Sequence, residues 1–268
     1  MSARHPERIV CLTEETTETL YLLGEDRRIV GISGFTVRPT RARREKPKVS
    51  AFTSAKIDRI IGLRPDLVLG FSDLQADIAA DLIRAGIEVH VFNHRSVAEI
   101  LRMIATLGGM VGREAKAAAL VAELEAGVER VRASAARLPR RPRVYFEEWD
   151  APQISGIRWV SELVGIAGGY DVFPELARES LGKNRIIADP LEVPRRSPDV
   201  IFGSWCGKKF RPQAVAARAG WADVPAVRGG HLYEIKSSII LQPGPAALTE
   251  GLRVLHDHIV AWTGAPTR

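Results

Sequence analysis

The sequence predicts an α/β protein of two Rossmann-like lobes with parallel sheets, joined by one long α-helix. Three observations lead there. Short apolar runs alternate with amphipathic helical stretches through most of the 268 residues, which is how parallel strands covered by helices on both faces are written. One phrase occurs twice, as RPDLVLGFSD at 64–73 and SPDVIFGSWC at 197–206, placing Asp66 and Asp199 133 residues apart (199 − 66). Between the copies, residues 113–138 read as uninterrupted helix, with no proline and one internal glycine.

The elements follow in order. ERIVCL (7–12) is a buried-strand pattern, and Thr13 or Glu14 caps a helix that Gly24 closes. RIVGIS and PKVSAF give the second and third strands, KIDRIIGL a helical turn or two, and RPDLVLGF the fourth strand. LQADIAADLIRAG is amphipathic and stops at Gly86, before the fifth strand IEVHVFN. The second half repeats this grammar. RPRVYFEEWD is its first strand, RWVSELVGIAGG a helix, PLEVPRRSPDVIFGS the helical turn and strand, GGHLYEIKS a late strand, and GPAALTEGLRVLHDHIVAWTG the closing helix. Arg8-Ile9-Val10 aligns with Arg143-Val144-Tyr145, so the repeated phrase is the same strand in two similar lobes. The boundaries that follow are 1–111 for the first lobe, 112–141 for the linking helix and 142–268 for the second. A helix over 113–138 extends roughly 39 Å at 1.5 Å per residue, and its Ala118, Val121, Leu124, Val128 and Val131 keep three- and four-residue steps.

Composition excludes several function classes. The net charge of +6 is carried by arginines scattered among acids. The two denser basic runs, 38–48 and 137–143, lack any reading module or aromatic face, so no nucleic acid partner is expected. No apolar run approaches the ~20 residues of a membrane span. With the first strand starting at Arg8 there is no room for a signal peptide. The expected location is therefore cytoplasmic as written, or periplasmic where an export signal precedes the chain. The two cysteines, Cys11 and Cys206, sit in opposite lobes and are expected as free thiols. His90 and His94 are read as structural, because a metal site needs three or four convergent ligands that their spacing does not supply. The expected metal set is none.

RIVCLTEETTETLYLLGEDRRIVGIS, LRPDLVLGF, RPRVYFEEWDAPQISG, WVSELVGIAGG, AGWADVPAVRGGHLYEI and LQPGPAALTEGL together resemble the helical-backbone (class III) substrate-binding proteins of ABC importers. The vitamin B12-binding and ferric-siderophore-binding proteins are the nearest in style. The resemblance runs in order along nearly the whole chain. It implies a monomeric binding protein and not an enzyme, with no intrinsic cofactor and a small-molecule ligand held in a cleft between the lobes. The ligand it implies is a corrinoid (cobalamin-like), a heme or a ferric chelate, and the partner an ABC permease. The family's permease-docking carboxylates fall nearest to Asp77 and Glu192, one position past the aligned Ala76 and Leu191. Arg185 stands where vitamin B12-binding relatives carry an aromatic.

Ligands of open α/β sheets sit beyond the carboxyl ends of the strands, which nominates the site residues. The first lobe offers Glu14, Phe35, Arg38, Phe52, Phe71 and Ser72; the second offers Trp149, Asp150, Trp205, Cys206, Lys208 and Lys236. Arg158, Trp159 and Arg185 lie in the intervening loops and helix starts. Aromatics make up only 6% of the chain, yet five of them fall at predicted strand ends, as walls for a flat, partly apolar ligand require. In SWCGKK two lysines beside a thiol either bind an anion or lower the thiol pKa, or else are solvated next to a buried cysteine. Two other functions stay open: a cytosolic heme or siderophore binder or sensor uncoupled from transport, and a cysteine-dependent enzyme using Cys206. The enzyme lacks any recognisably placed activating base.

Overall fold

The computed structural model describes residues 5–264; the outermost ends of the two predicted lobes lie outside the described residues. The chain divides into two compact units, the first running to His94 and including Ala98–Glu123, the second made of Arg95–Val97 and everything from Leu124 onward.

In the first unit, β1 (Ile9–Cys11), β2 (Ile29–Ser33), β3 (Lys48–Ser50), β4 (Leu67–Phe71) and β5 (Val89–Phe92) form one sheet. The order is β3-β2-β1-β4-β5 and every neighbouring pair is parallel. The helices α1 (Glu14–Leu22), α2 (Ala42–Glu45), α3 (Ile57–Gly62), α4 (Ala76–Arg84) and α5 (Val97–Met110) alternate with the strands or follow them. Strand β1 is buried at all three residues, as a central parallel strand must be. Val10, Leu12, Val49, Ile60, Val68, Ile78 and Leu82 make a core layer beside it.

One helix, α6 (Glu114–Ala135), begins in the first unit and ends in the second. At 22 residues it spans roughly 33 Å, shorter than the predicted stretch by one residue at its start and three at its end. The lost residues have a local cause. Arg137 and Leu138 bond back three residues, to Ser134 and Ala135, instead of four, and Pro139 disfavours helical backbone just before it.

The second unit holds β6 (Arg143–Asp150), β7 (Gln153–Ser155), β8 (Tyr170–Asp171), β9 (Val200–Gly203) and β10 (Leu232–Glu234). The sheet runs β10-β9-β6-β7, with β8 pairing β6. All pairs are parallel except β6 with β7. This antiparallel return is absent from the sequence reading, because Ala151-Pro152 cuts the short QIS run away from the strand it pairs with. Around the sheet lie α7 (Arg158–Ala167), α8 (Glu192–Arg196), α9 (Pro212–Ala216), α10 (Pro225–Arg228), α11 (Ser237–Ile240) and α12 (Leu252–Thr263). The predicted closing helix is helical, but its first part, Ala247–Gly251, is a π-type turn ahead of α12. A cluster that includes Tyr145, Phe173, Ile201, Phe210 and Trp221 fills one face, and burying each such side chain contributes about 1.5–3 kcal/mol.

The repeated phrase occupies the same place in both sheets. Asp66 accepts the backbone N–H groups of Glu7 (2.7 Å) and Arg8 (2.9 Å), and Asp199 accepts that of Arg143 (2.8 Å). Their own N–H groups return the bond to Arg8 and Arg143. The residue before each Pro-Asp, Arg64 or Ser197, takes a left-handed φ of 48° or 49°, turning the chain from helix to strand. Pro-Asp therefore clips the amino end of each unit's first strand to the repeated strand beside it. It is scaffold, at the sheet edge opposite the strand ends nominated for binding.

Candidate functional site

Consider first the carboxyl edge of the first unit's sheet. There β1 passes through Thr13 into α1, burying Glu14 and Glu15 at 2% and 1% exposure. One Glu14 oxygen accepts from the backbone of Val37 (2.9 Å) and Arg38 (3.1 Å), fixing the loop after β2. Glu15 accepts the Thr13 hydroxyl, and its Oε2 has no hydrogen-bond partner. Burial pushes both carboxyls up to about 7, and the neighbouring carboxylates add to it; among the described residues no ion pair offsets the lost hydration. Arg38 turns instead to Glu18, at 3.1 Å.

At β4 the strand ends in Phe71, buried edge-on against His94 at 5.1 Å. Ser72, buried with φ 63°, accepts from the N–H of Leu74. Gln75 ties this end to its neighbour: its oxygen accepts from Phe71 N, and its nitrogen donates to the Phe52 carbonyl. Phe52 is half-buried, and Phe35 is exposed. His90 packs against Phe92 at 4.4 Å.

The second unit is built differently. Strand β6 runs straight into the site, so Glu147, Glu148, Trp149 and Asp150 follow one another along it. Glu147 is fully buried and takes a two-pronged ion pair from Arg218, at 2.6 and 2.9 Å. The Trp205 indole N–H (3.1 Å) and the Tyr145 hydroxyl (3.1 Å) also donate to it. Charge-assisted, bidentate geometry of this kind is what allows a carboxylate to be buried. Glu148 pairs in the same way with the buried Arg185, at 2.6 and 3.0 Å. Trp149 is half-buried, its N–H donating to the Ala151 carbonyl at 3.0 Å.

Lys208 completes the cluster. Its ammonium lies 2.5 Å from Asp150, 4.6 Å from the Trp149 ring centre and 5.0 Å from that of Trp205, a cation held by a carboxylate and two aromatic faces. Beside it is a depression of about 280 Å³ lined by Trp205, Gly207, Lys208, Lys209, Glu234, Ile235, Lys236, Ser237 and Ser238. Gly203 makes this end of β9 possible, since a Cβ there would lie 1.9 Å from the Phe210 ring. Phe210 in turn packs edge-on against Trp205, at 5.0 Å.

The structure thus gathers Trp149, Asp150, Trp205 and Lys208 into one surface, with Lys236 across the adjoining depression and Cys206 exposed nearby. Trp205 is itself 6% exposed and presents little more than an edge. In the second unit three nominated residues are occupied elsewhere. Trp159 is buried with its N–H on the Ile240 carbonyl (2.9 Å), Arg158 pairs with Glu162 along α7 (2.9 Å), and Arg185 serves Glu148. Arg218 and Glu234 were not nominated. Arg218 sits 71 residues from the carboxylate it neutralises, in the turn that follows α9, with no local feature that sets it apart from the other arginines. Glu192, one of the two acidic docking candidates, is already paired with Arg195 (2.8 Å) and Arg196 (2.9 Å).

Both cysteines are free, Cys11 buried and Cys206 exposed. Burial pushes the Cys11 thiol up to about 12, which keeps it protonated and unreactive. Among the described residues no group of three or more His, Cys, Asp or Glu side chains could hold a metal ion. No described helix is long and apolar enough to cross a membrane.

Comparison with known proteins adds the following. The profile of the family described as "Periplasmic binding protein" matches residues 9–239. A cobalamin-binding protein of Halobacterium salinarum is 27% identical over 253 residues, covering 90% of this chain and 66% of its own length. The chain thus spans just under two thirds of that relative. An ABC transporter substrate-binding lipoprotein of Bacillus subtilis is 24% identical over 96% of this chain and 81% of its own. Among solved structures, the periplasmic vitamin B12-binding protein of Vibrio cholerae superposes with a TM-score of 0.77 at 20% identity, covering 96% of this chain and 98% of its own.

Proposed function

This chain belongs to the periplasmic binding protein family, and on that premise we propose that it is the substrate-binding component of an ABC importer, with a corrinoid as its ligand. One observation carries the reading. The half-buried Trp149 face stands with Lys208 and Asp150 at the carboxyl edge of the second sheet, an apolar wall edged by both charges. A corrinoid has a flat apolar rim and a fringe of amide arms, which such a wall suits by stacking and hydrogen bonding together. In the first unit Phe35 is exposed and Phe52 half-buried, so that unit too carries accessible aromatics among the nominated residues. The names of the relatives, one a cobalamin binder and one an ABC transporter lipoprotein, support the same ligand and the same partner. A binding protein coupled to a permease works on the outer side of the cytoplasmic membrane.

The test is titration of the purified protein with cyanocobalamin, dicyanocobinamide, hemin and ferric chelates, read by tryptophan fluorescence. Quenching by a corrinoid with sub-micromolar Kd, lost in Trp149→Ala, is expected. Binding of hemin or a ferric chelate with no response to either corrinoid would reassign the ligand. Recovery of the binding-competent protein from the cytoplasm on cell fractionation would point to a binder uncoupled from transport.

A further inference from the structure

The Trp149 wall occupies only part of the second unit's edge. Next to it the depression of about 280 Å³ is lined by three lysines, Lys208, Lys209 and Lys236, and by one carboxylate, Glu234. Whole small-molecule ligands occupy roughly 300–1,000 Å³, so this space suits one substituent and not a macrocycle. The three lysines are not equivalent. Lys208 is committed to Asp150 and the two tryptophan rings. Lys236 rests on Glu234 at 2.7 Å, but its side chain is 61% exposed, and an ion pair so open to water is weak and easily exchanged. Lys209 forms no direct ion pair among the described residues, though its charge reaches Glu234. The hydroxyl-bearing Ser237 and Ser238 also line it. Glu234 also accepts the N–H of Phe210, at 3.2 Å. Against the upward push of burial, the charges of Lys236 and Lys209 both hold its carboxyl below the usual value, so the one carboxylate is shared between two cations.

We propose that this depression is an anion subsite, in which Lys209 and Lys236 receive a carboxylate or phosphate arm of the ligand whose apolar body lies on Trp149. The proposal rests on the functional reading above and narrows its substrate class to chelates that carry a peripheral negative charge. Lys236 leaves Glu234 for the incoming anion, and Lys209 needs no release. Lys208 stays with Asp150 and keeps the aromatic wall in place. Two sources share this chemistry, the phosphodiester of a complete corrinoid and the carboxylate side arms of a tetrapyrrole.

The experiment has two arms. In the first, inorganic pyrophosphate is titrated calorimetrically into the wild type, K209Q/K236Q and E234Q, without any chelate. The wild type is expected to bind it, with affinity falling about tenfold or more as salt is raised to about 0.5 M. The double variant is expected to lose about tenfold in affinity, and E234Q to gain several-fold because the competing carboxylate is gone. No binding by the wild type, or equal binding by K209Q/K236Q, overturns the subsite. In the second arm, the wild type and double variant are compared with cyanocobalamin, hemin and dicyanocobinamide, the last bearing neither phosphate nor carboxylate. Loss of affinity for cyanocobalamin alone identifies the phosphate, loss for hemin alone the carboxylate, and loss for both the shared chemistry. Cobinamide binding is expected unchanged. A double variant that binds all three as the wild type does overturns the subsite while the functional reading stands. If no chelate binds any form but pyrophosphate behaves as expected, the functional reading fails and the subsite stands. Thermal melting of each variant checks that the fold is retained.

Discussion

Both units bury carboxylates at the carboxyl end of their first strand, but they stabilise them by different means. In the second unit, Glu147 at 0% exposure has Arg218 forked onto both its oxygens, with Trp205 and Tyr145 donating as well. In the first, Glu15 at 1% exposure has one hydroxyl donor and an oxygen with no partner, and Glu14 beside it has only backbone donors. A buried carboxylate either keeps a cation or keeps a proton. The first solution depends on one distant side chain, the second on pH. The two units should therefore fail under different conditions.

The largest effect is expected where the cation is removed. Arg218→Met leaves Glu147 as an uncompensated buried charge, and breaking a buried pair in this way costs about 3–5 kcal/mol. It also frees the carboxylate to pull on Trp205, so the ligand-facing edge should loosen with it. Urea denaturation followed by tryptophan fluorescence measures the loss. The double variant Glu147→Gln/Arg218→Met removes the charge as well and should recover most of it. If Arg218→Met alone is as stable as the wild type, the pair does not hold the second unit together.

The pH dependence belongs to the first unit. Glu14 and Glu15 take up protons more readily in the folded chain, at about 7, than at the ordinary value of 4.5. Such a group contributes stability that is complete below its ordinary pKa and is lost as pH rises through the folded value. Stability should accordingly decline between about pH 5 and 8, by an amount on the order of 2–3 kcal/mol for each of the two groups at about 1.4 kcal/mol per pH unit. Glu15→Gln keeps the acceptor for Thr13 without an ionisable group, so it should be more stable than the wild type at pH 8 and indistinguishable at pH 5. Chemical denaturation across that range, with hydrogen exchange to locate the change, checks both halves. A decline that persists undiminished in Glu15→Gln, and equally in Glu14→Gln, would place the titration elsewhere.

The contrast also explains what could be read from the sequence. Strand and helix alternation, the repeated phrase and the central helix are local signals, and all are present in the structure as one parallel sheet, one mostly parallel sheet and α6. The membership of the site was less legible. SWCGKK stood out because Trp205, Cys206, Lys208 and Lys209 are neighbours in sequence, and the structure does set Lys208 between Trp205 and Trp149. Which arginine serves which glutamate had no local signature. Arg185 serves Glu148 across 37 positions and Arg218 serves Glu147 across 71, and only the folded geometry selects them from many surface arginines. Burial was equally hidden. Trp159 and Trp205 sit in similar polar surroundings in the sequence to Trp149, yet packing from distant segments encloses them.

The smallest expected difference concerns the repeated phrase itself. Asp66 caps two backbone N–H groups and Asp199 only one. All three donors lie on exposed residues, so water replaces the lost carboxylate and no buried polar group is orphaned. At about 0.5–1.5 kcal/mol for each net hydrogen bond, Asp66→Ala should cost about 1–2 kcal/mol and Asp199→Ala about half as much. Neither should alter ligand affinity, because both aspartates hold the amino ends of strands whose carboxyl ends carry the nominated residues. Guanidinium melts of the two variants, paired with the chelate titration, measure both quantities. Equal destabilisation would mean that the single bond of Asp199 is as strong as the pair at Asp66. A fall in ligand affinity in either variant, at unchanged fold, would mean that the site does not lie at the strand ends to which Trp149 and Lys208 assign it.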